Sequence, residues 1–435
     1  MALAAGALVL PAVAVAQPQP AAPGTPTVSA SMAQANQVRQ EVRSGTLLRT
    51  HGTVRACGQC DAQVVTTAPG STKPLATAVP AGLGPADLAA AYSLPATSTS
   101  TTTIAIIDAG VDATLASDLA TYRSTYGLPA CTVASGCLKL ENFDGAAQPA
   151  PQRTRAGEQE EEEIAVETSL DMDMASAACA SCHLLEISVP VAAGFSDTTT
   201  STGEFAQATA TAAAVGAKVV SISYGYSENN TNTSGTQLAE MNQPGVAITV
   251  STGDSGFNGG THQDWPSNLP TVVAVGGTTL VSAGHETAWT GGGSGCETRF
   301  ASANGQPAAV TALCGNHLAA ADVSSVADPN TGVAVFDTDA PFSHAPDNFI
   351  VVGGTSASAP FVGGLFARAG VPATLNGPNT LFTSASTNFN DVTSGSNQES
   401  LRCSSFPALS PKMCTAAVGY DGPTGLGTPH GLGAF

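Results

Sequence analysis

The sequence contains little charge, and positive charge is the scarcest kind. Only 11% of its 435 residues are charged, with 14 lysines and arginines against 33 aspartates and glutamates, which gives a net charge of −19. A chain this acidic is poorly suited to bind nucleic acid or an anionic membrane surface. Few basic residues also mean few salt bridges to lose when carboxylates are protonated. The composition therefore suits an acidic medium.

Long apolar runs are missing too, except at the N-terminus. Residues 2–16 are almost wholly apolar and end in Ala14-Val15-Ala16, an A-x-A cleavage pattern that predicts a secretory signal peptide over residues 1–16. The basic n-region is absent, so the true signal peptide can begin upstream; a disordered Ala-rich tail is the alternative. No other stretch is long and apolar enough to cross a membrane. We therefore expect a secreted, extracellular protein without a membrane partner.

The cysteines favour the same location, because their even number and close spacing indicate local disulfides formed in an oxidising compartment. Two C-x-x-C pairs would also suit zinc, but Cys57/Cys60 lies in a segment that we expect to be removed. The C-x-x-C-H run ending at His183 spells a covalent haem motif, but nothing nearby suggests a distal ligand or an apolar pocket. The ten cysteines form five near neighbours: Cys57/Cys60, Cys131/Cys137, Cys179/Cys182, Cys296/Cys314 and Cys403/Cys414.

Strands alternate with helices from Gly82 onward, which predicts an α/β fold with a parallel central sheet flanked by helices on both faces. Catalytic residues in such folds lie at the carboxyl ends of strands. We predict helices over 164–180 and 204–215, and strands over 102–107, 184–189, 218–222, 246–250, 271–275 and 349–352.

One of these strands leads into a candidate nucleophile. The stretch Gly353–Pro360 reads GGTSASAP, and its glycines allow a tight turn from strand to helix. Ser356 would then lie at a helix N-terminus, where the dipole favours developing negative charge. Pro360 would fit the first helical turn. A packing turn of small residues before a buried helix is the alternative.

Two further stretches supply carboxylates. Glu167 and Asp171 are four residues apart and would share one helical face, roughly 5–6 Å apart between Cβ atoms, where they could share a proton. A solvated acidic face is the alternative, but the neighbouring side chains are apolar. Asp254 follows the strand at 246–250 in a Gly-framed turn; its alternative role is that of a capping or turn residue.

A fourth stretch joins Asp391-Val392 to Ala417-Val418-Gly419-Tyr420-Asp421. Two separated carboxylates among turn carbonyls suit a hard cation with oxygen ligands.

Together these stretches resemble the sedolisin family, the serine-carboxyl peptidases, whose fold is similar to that of subtilisins. The family's GTSxSxP matches Gly354–Pro360, its E-x-x-x-D helix matches Glu167–Asp171, and its SxGDxG matches the run around Asp254. Its calcium loop matches Asp391-Val392 and Gly419–Pro429, with Ala417 where the family usually has glycine.

The resemblance implies a secreted, acid-active endopeptidase that acts on peptide or protein substrates, which we expect to be a monomer. Ser356 would form an acyl-enzyme, Glu167 with Asp171 would be the base pair, and Asp254 would donate to the oxyanion. One structural Ca²⁺ would be bound by Asp391, Val392, Ala417, Gly419 and Asp421. The alternative is a catalytically silent secreted member that binds peptides or has a structural role.

Composition divides the N-terminal part of the chain, because stretches rich in Pro and Ala indicate linkers. Residues 17–80 would be a short pro-segment with linkers at 17–30 and 65–82, and residues 81–435 the catalytic domain with the calcium loop. A basic segment, 33–64, would dock on the acidic domain or act as a floppy spacer. A subtilisin triad of Asp108, His51 and serine is disfavoured, because His51 precedes Asp108 in this chain, whereas the order in subtilisins is Asp, His, Ser. We therefore expect Asp108 to be structural.

Overall fold

The computed structural model describes residues 26–152, 155–227, 233–259, 264–339 and 349–435, and side chains within it except those of 26–31 and 155–159. The predicted signal peptide lies outside these residues. The helices are α1 Pro26–Ser44, α2 Pro85–Ala91, α3 Leu115–Thr125, α4 Arg155–Ala178, α5 Thr199–Ala214, α6 Gly235–Glu240, α7 Ala308–Thr311, α8 Thr355–Ala369 and α9 Asn379–Thr383. None of the described helices combines the length and the apolar character needed to span a membrane.

Most strands are short, and only a few exceed five residues. They are β1 Gly52–Arg55, β2 Gln63–Thr66, β3 Ala76–Thr77, β4 Thr103–Ala109, β5 Leu138–Asn142, β6 His183–Val189, β7 Val219–Ile222, β8 Tyr226–Ser227, β9 Ala247–Ser251, β10 Asp264–Trp265, β11 Val273–Ser282, β12 His285–Ala288, β13 Gly295–Glu297, β14 Leu318–Ala320, β15 Val323–Val326, β16 Val333–Phe336, β17 Phe349–Gly353, β18 Phe389–Asn390 and β19 Thr428–Pro429.

The central sheet confirms the predicted α/β fold. Its strands lie in the order β12-β11-β9-β7-β4-β6-β5, with β15 also paired to β11, and every pair except β11/β12 is parallel. The predicted strands are all present. Those at 102–107, 184–189, 218–222, 246–250 and 271–275 belong to this sheet, where buried parallel strands are apolar on both faces. Helices α4, α5 and α8 pack on this sheet.

Helix α8 lies between the sheet and α4, and small residues permit this close approach. Every residue from Thr355 to Ala367 is buried. A Cβ on Gly364 would lie 2.5 Å from the Cβ of Ala178, and one on Gly363 would lie 2.8 Å from the hydroxyl of Thr249. The helix that begins at the candidate nucleophile is therefore held against the helix that carries Glu167 and Asp171.

A second, antiparallel sheet was not predicted. It runs β1-β2-β17-β16, with β3 also paired to β17, so the N-terminal segment pairs with the strand that precedes Ser356. The prediction of a linker over 65–82 is wrong in this respect, since β3 and the end of β2 lie in it. These strands are too short to show an alternating pattern, and β17 supplies their hydrogen-bonding partners.

Charge also contributes to docking of the N-terminal segment, which is one of the two alternatives that its composition left open. Arg43 on α1 forms an ion pair with Asp87 on α2 at 2.8 Å, and Arg39 donates to the carbonyl oxygen of Pro80. Val38 and Val42 on the same helix are buried. Residues 32–80 are thus packed on the α/β domain rather than forming a floppy spacer.

Candidate active site

The turn before α8 places Ser356 at the start of a buried helix. Strand β17 ends at Gly353, Gly354 has φ +107°, and Ser356 is the second residue of α8. A Cβ on Gly354 would lie 2.0 Å from the carbonyl oxygen of Asp61 and 2.7 Å from Oδ2 of Asp254, so this position requires glycine. Pro360 lies inside the helix, not in its first turn, because the helix begins at Thr355. That prediction was wrong by one turn.

The two carboxylates of α4 lie beside this turn, and both are fully buried. Glu167 and Asp171 are 0% exposed, so they do not form a solvated acidic face. The hydroxyl of Ser223 donates to Asp171 Oδ1 at 2.9 Å and to Oδ2 at 2.8 Å. The Ser356 hydroxyl in turn donates to the carbonyl oxygen of Ser223 at 3.3 Å. Ser223 therefore links the nucleophile turn to the carboxylate pair.

Burial dominates the electrostatics of this pair. It raises the pKa of Glu167 well above its usual range, and the neighbouring Asp171 raises it further. The pKa of Asp171 is also raised, first by burial and then by the carboxyl of Asp108. Two carboxyls that are close together and out of water cannot both ionise easily, so the pair retains a proton that isolated carboxyls would lose.

Ser356 is close enough to Glu167 to act on this equilibrium. When the Ser356 hydroxyl turns from the carbonyl oxygen of Ser223 towards Glu167, its hydrogen bond favours the ionised carboxylate and lowers the pKa of Glu167, against the larger effect of burial. However, neither Glu167 oxygen accepts a well-formed hydrogen bond within the described part of the chain. We take the arrangement in which the Ser356 hydroxyl bonds Ser223 as the resting state, because catalytic hydrogen bonds often tighten only when substrate binds.

Asp254 lies on the other side of the nucleophile turn. Its Oδ1 accepts hydrogen bonds from the backbone N–H of Thr355 at 2.8 Å and from the Thr355 hydroxyl at 3.0 Å. Its Oδ2 accepts from Nε2 of Gln63 at 3.3 Å. Burial raises the pKa of Asp254 well above its usual range, and the charge of Asp61 raises it further. A protonated Asp254 is thus favoured, and it can donate a hydrogen bond.

Asp108 belongs to the same acidic cluster, although the sequence suggested only a structural role. It lies near the carboxyl end of β4, is fully buried, and neither of its oxygens has a hydrogen-bond partner in the described residues. Burial and Asp112 raise its pKa to about 7. A protonated Asp108 limits the negative charge next to Glu167 and Asp171.

None of the described histidines takes part in this arrangement. His51 lies 3.4 Å from a carboxylate oxygen of Glu41 and bonds the carbonyl oxygen of Thr67, away from Ser356. His262 and His344 lie outside the described residues. Among the described residues, no histidine bonds Ser356, and its neighbours are carboxyl groups.

The structure also brings the N-terminal segment into the site, which the sequence did not indicate. The backbone N–H of Ser356 donates to the carbonyl oxygen of Asp61 at 3.0 Å, and the Asp61 side chain accepts from the hydroxyl of Ser251 at 2.7 Å. Asp61 and Ser251 are 190 residues apart in sequence. No local pattern could have predicted this contact.

The candidate calcium loop is folded around its two carboxylates. Asp391 Oδ2 accepts from the backbone N–H of Gly419 at 3.0 Å, and buried Asp421 accepts from the N–H groups of Ala417 at 2.7 Å and Thr424 at 3.0 Å. Within the described residues the carbonyl oxygens of Val392, Ala417 and Gly419 accept no hydrogen bond. Two carboxylates with three uncommitted carbonyls fit the oxygen preference of calcium.

The five predicted disulfides are confirmed, each between near neighbours. They are Cys57–Cys60, Cys131–Cys137, Cys179–Cys182, Cys296–Cys314 and Cys403–Cys414. The zinc and haem alternatives are therefore wrong for these cysteines, whose sulfurs are bonded to each other.

The fold and the nucleophile turn define a peptidase of subtilisin-like architecture, and comparison with known proteins agrees. The model of the subtilase family matches residues 99–373, and the chain belongs to this family. Kumamolisin from Bacillus sp. (strain MN-32) is 33% identical in an alignment over 212 residues that covers 43% of this chain and 35% of kumamolisin. The match thus spans about a third of that relative's length.

A solved structure is similar over most of the chain. Pseudomonas sedolisin, a serine-carboxyl proteinase complexed with two molecules of pseudo-iodotyrostatin, superposes with a TM-score of 0.59 and 22% identity. The superposition covers 81% of this chain and 96% of that one. The resemblance to sedolisins predicted from the sequence is confirmed by these similarities, and at this identity the superposition itself is evidence for the fold.

Proposed function

We propose that the chain is a secreted, acid-active serine-carboxyl endopeptidase that cleaves peptide bonds through an acyl-enzyme on Ser356. The observation that carries this proposal is the set of side chains around Ser356. Buried carboxyls with raised pKa values surround it, namely Glu167, Asp171 and Asp254. A histidine base is protonated below its usual pKa of ~6.5, whereas a carboxylate with a raised pKa still accepts protons in acid.

In this mechanism Glu167 accepts the hydroxyl proton of Ser356 as Oγ attacks the substrate carbonyl carbon. Asp171, held by the hydroxyl of Ser223, shares a proton with Glu167 and so keeps the pKa of Glu167 near the working pH. Protonated Asp254 and the backbone N–H of Ser356 donate to the tetrahedral oxyanion. The acyl-enzyme is then hydrolysed by water.

The test of this function is covalent. At pH 3–5 the protein should hydrolyse peptide substrates, and a peptide aldehyde should inhibit it by forming a hemiacetal with the Ser356 hydroxyl. Inhibitors of aspartic proteases should bind poorly, since no water is activated between two aspartates. A crystal structure of the inhibited protein at pH 4 should show the aldehyde carbon bonded to Oγ of Ser356. An adduct elsewhere would reassign the nucleophile, and a silent peptide-binding member would show neither turnover nor adduct.

Secretion is supported by the five disulfides, because such bonds persist in oxidising compartments. We also infer that residues 17–80 act as a pro-segment. Its described part is packed on the domain and enters the candidate active site through Asp61. Peptides and proteins are the expected partners, and the net charge of −19 disfavours nucleic acid.

We further propose one structural Ca²⁺, bound by the carboxylates of Asp391 and Asp421 and by the carbonyl oxygens of Val392, Ala417 and Gly419. When bound, the ion would neutralise two neighbouring carboxylates and hold the C-terminal loop to the segment after β18. Its role is structural, because the residues around Ser356 supply the chemistry.

Chelation should therefore lower the melting temperature at pH 6. A ligand that binds only the folded state stabilises it by about 2.7 kcal/mol at a hundred times its Kd. The loss on adding chelator should be smaller at pH 3, where carboxylates release the ion as they gain protons. Differential scanning calorimetry with and without chelator measures it.

Asp391→Ala provides the matched variant, because this carboxylate is exposed and its loss alone should cost little. With calcium present, Asp391→Ala should melt at the temperature of the chelated wild type, and chelator should have no further effect. Asp144→Ala, also exposed, should retain the full chelator effect. If the chelator leaves the wild-type melting temperature at pH 6 unchanged, the loop binds no metal.

A further inference from the structure

The chain's own residues 59–61 lie along the candidate active site in the manner of a bound peptide. The N–H of Asp61 donates to the carbonyl oxygen of Ser223 at 3.0 Å, and the N–H of Gly225 donates to the carbonyl oxygen of Gln59 at 3.0 Å. The third contact is the N–H of Ser356 to the carbonyl oxygen of Asp61, also at 3.0 Å. The segment thus adds an antiparallel strand to the residues that follow β7, as extended peptides do at sheet edges.

The segment continues past the nucleophile on the other side. Gln63 and Val64 pair with Gly353 and Val352, the last two residues of β17. The bond between Asp61 and Ala62 therefore crosses directly over the nucleophile turn. Gly354 allows this approach, since a Cβ there would lie 2.0 Å from the Asp61 carbonyl oxygen and 2.9 Å from the Ala62 Cα.

The carbonyl that would be attacked is already polarised. The oxygen of Asp61 accepts from the backbone N–H of Ser356, the donor assigned to the oxyanion in the proposed mechanism. Asp254, the second assigned donor, is close enough to Asp61 that the charge of Asp61 raises its pKa. Asp61–Ala62 thus has the position of a scissile bond.

The Asp61 side chain fills a buried subsite in which, among the described residues, the hydroxyl of Ser251 donates a hydrogen bond to it. The side chain is 3% exposed, and its Oδ2 accepts from the hydroxyl of Ser251, the last residue of β9, at 2.7 Å. Gly225 lines the subsite, because a Cβ there would lie 3.4 Å from the same Oδ2. Burial raises the pKa of Asp61 to about 6, while Arg55 and the Ser251 hydroxyl lower it. In acid the subsite therefore holds a neutral carboxyl group.

The conformation of residues 56–62 is fixed by bonds within the N-terminal segment itself. Residues 56–62 form the loop of the β1–β2 hairpin, which is closed by the Cys57–Cys60 disulfide and by a hydrogen bond from the Ala56 N–H to the Ala62 carbonyl oxygen at 3.0 Å. A loop fixed in its bound conformation loses little entropy on binding. It can therefore occupy the site firmly.

We propose that the subsite on the acyl side of the cleaved bond, built around Ser251, selects aspartate, and that the Asp61–Ala62 bond is the enzyme's first substrate. This inference rests on the proposed function. Ser356 Oγ would bond the Asp61 carbonyl carbon, the bond to the Ala62 nitrogen would break, and that nitrogen would take the proton held by Glu167. Water would then release the Asp61 carboxyl group and restore the Ser356 hydroxyl.

Self-cleavage is tested on the full chain at pH 4. Intact-mass measurement and N-terminal sequencing should find a fragment that begins at Ala62, and Ser356→Ala should not produce it. Asp61→Leu should slow its appearance at least tenfold, whereas Asp144→Leu, an exposed control, should not. Cleavage at another bond, or cleavage at Ala62 that is equally fast in Asp61→Leu, would overturn the assignment of Asp61.

Selectivity is tested in trans with peptides that differ only in the residue before the cleaved bond: aspartate, asparagine, leucine or arginine. At pH 4 kcat/KM should be at least tenfold higher for aspartate than for leucine or arginine. Ser251→Ala should lower kcat/KM for the aspartate peptide about tenfold, the value of one lost hydrogen bond to a buried polar group, and leave the leucine peptide nearly unchanged. Ser201→Ala, a buried serine on α5, is the matched control.

Failure of this inference is distinguishable from failure of the proposed function. If peptides are hydrolysed and the aldehyde labels Ser356, but aspartate is not preferred, the subsite assignment is wrong and the peptidase stands. If Ser251→Ala lowers kcat/KM equally for all four peptides, Ser251 is a structural residue. If no peptide is hydrolysed and no adduct forms, both conclusions are wrong.

Discussion

Ser356→Ala should lower kcat for peptide hydrolysis by on the order of 10⁴–10⁶, because it removes the atom that forms the acyl-enzyme. The loss should appear in kcat more than in KM, since the segment that binds substrate, from Ser223 to Gly225, is unchanged. Steady-state kinetics at pH 4 with a peptide cleaved by the wild type measures it. Full-length protein of unchanged fold should accumulate without the Ala62 fragment.

Ser358→Ala is the matched control, since it lies on the same helix two residues away. Its hydroxyl donates to the carbonyl oxygens of Ser325 at 2.8 Å and Val326 at 3.0 Å, so it holds α8 to the sheet. This variant should lose about 1 kcal/mol of stability and keep its kcat. A variant of Ser358 as inactive as that of Ser356 would contradict the assignment of the nucleophile.

Glu167→Gln should be nearly as damaging, and the two losses should not add. A neutral amide cannot accept the Ser356 proton, so the nucleophile is not activated even though the side chain keeps its shape. Because residues that act as one unit are strongly non-additive, the double variant should be no slower than Ser356→Ala alone. If the fold-losses in kcat of the two single variants multiply in the double variant, Glu167 and Ser356 act independently.

The sequence predicted those parts of the site that depend on local pattern. The glycines and the apolar helix placed Ser356, and the spacing of Glu167 and Asp171 placed them on one face of α4. Asp254 was predicted because it directly follows an apolar strand. In each case the signal spans fewer than ten residues and reflects a single element.

Other parts depended on long-range pairing and could not be predicted. The contact of Asp61 with Ser251, and the pairing of β2 with β17, join segments that are far apart in sequence. The short strands of the N-terminal segment carry no pattern of their own, so its Pro- and Thr-rich composition suggested a linker. The position of Asp108 beside Glu167 and Asp171 depends on how β4 and α4 pack, and its predicted structural role stays a prediction.

The burial of so many carboxyls has a consequence for stability. Burial raises the pKa values of Asp108, Asp112 and Asp322 to about 7. An acid whose pKa is higher in the folded state binds protons more tightly there than when unfolded. Its contribution to the free energy of unfolding is therefore fully present below its unfolded pKa, near 4, and is lost as the pH rises through about 7. The fold itself should be more stable in acid than at neutral pH.

Activity should be highest well below neutral pH and fall steeply as the pH approaches 7. At acidic pH the pair of Glu167 and Asp171 holds one proton, which leaves Glu167 able to accept another, and Asp254 is protonated and can donate to the oxyanion. When Asp254 ionises, its charge would repel the oxyanion and remove one donor, a loss of ~10²–10³ in rate. The profile of kcat/KM from pH 2.5 to 8 measures this, and a plateau at pH 7–8 would contradict it.

Asp254→Asn tests whether the fall in activity comes from ionisation of Asp254 or from unfolding. An amide keeps a donor at the same position but does not ionise, so this variant should be slower than the wild type at pH 4 and lose much less of its activity between pH 5 and 7. Circular dichroism at each pH, and recovery of activity on return to pH 4, identify any loss that comes from unfolding. If the wild type and Asp254→Asn decline in parallel while both stay folded, the decline comes from the Glu167–Asp171 pair, and Asp254 is not the group whose proton the reaction needs.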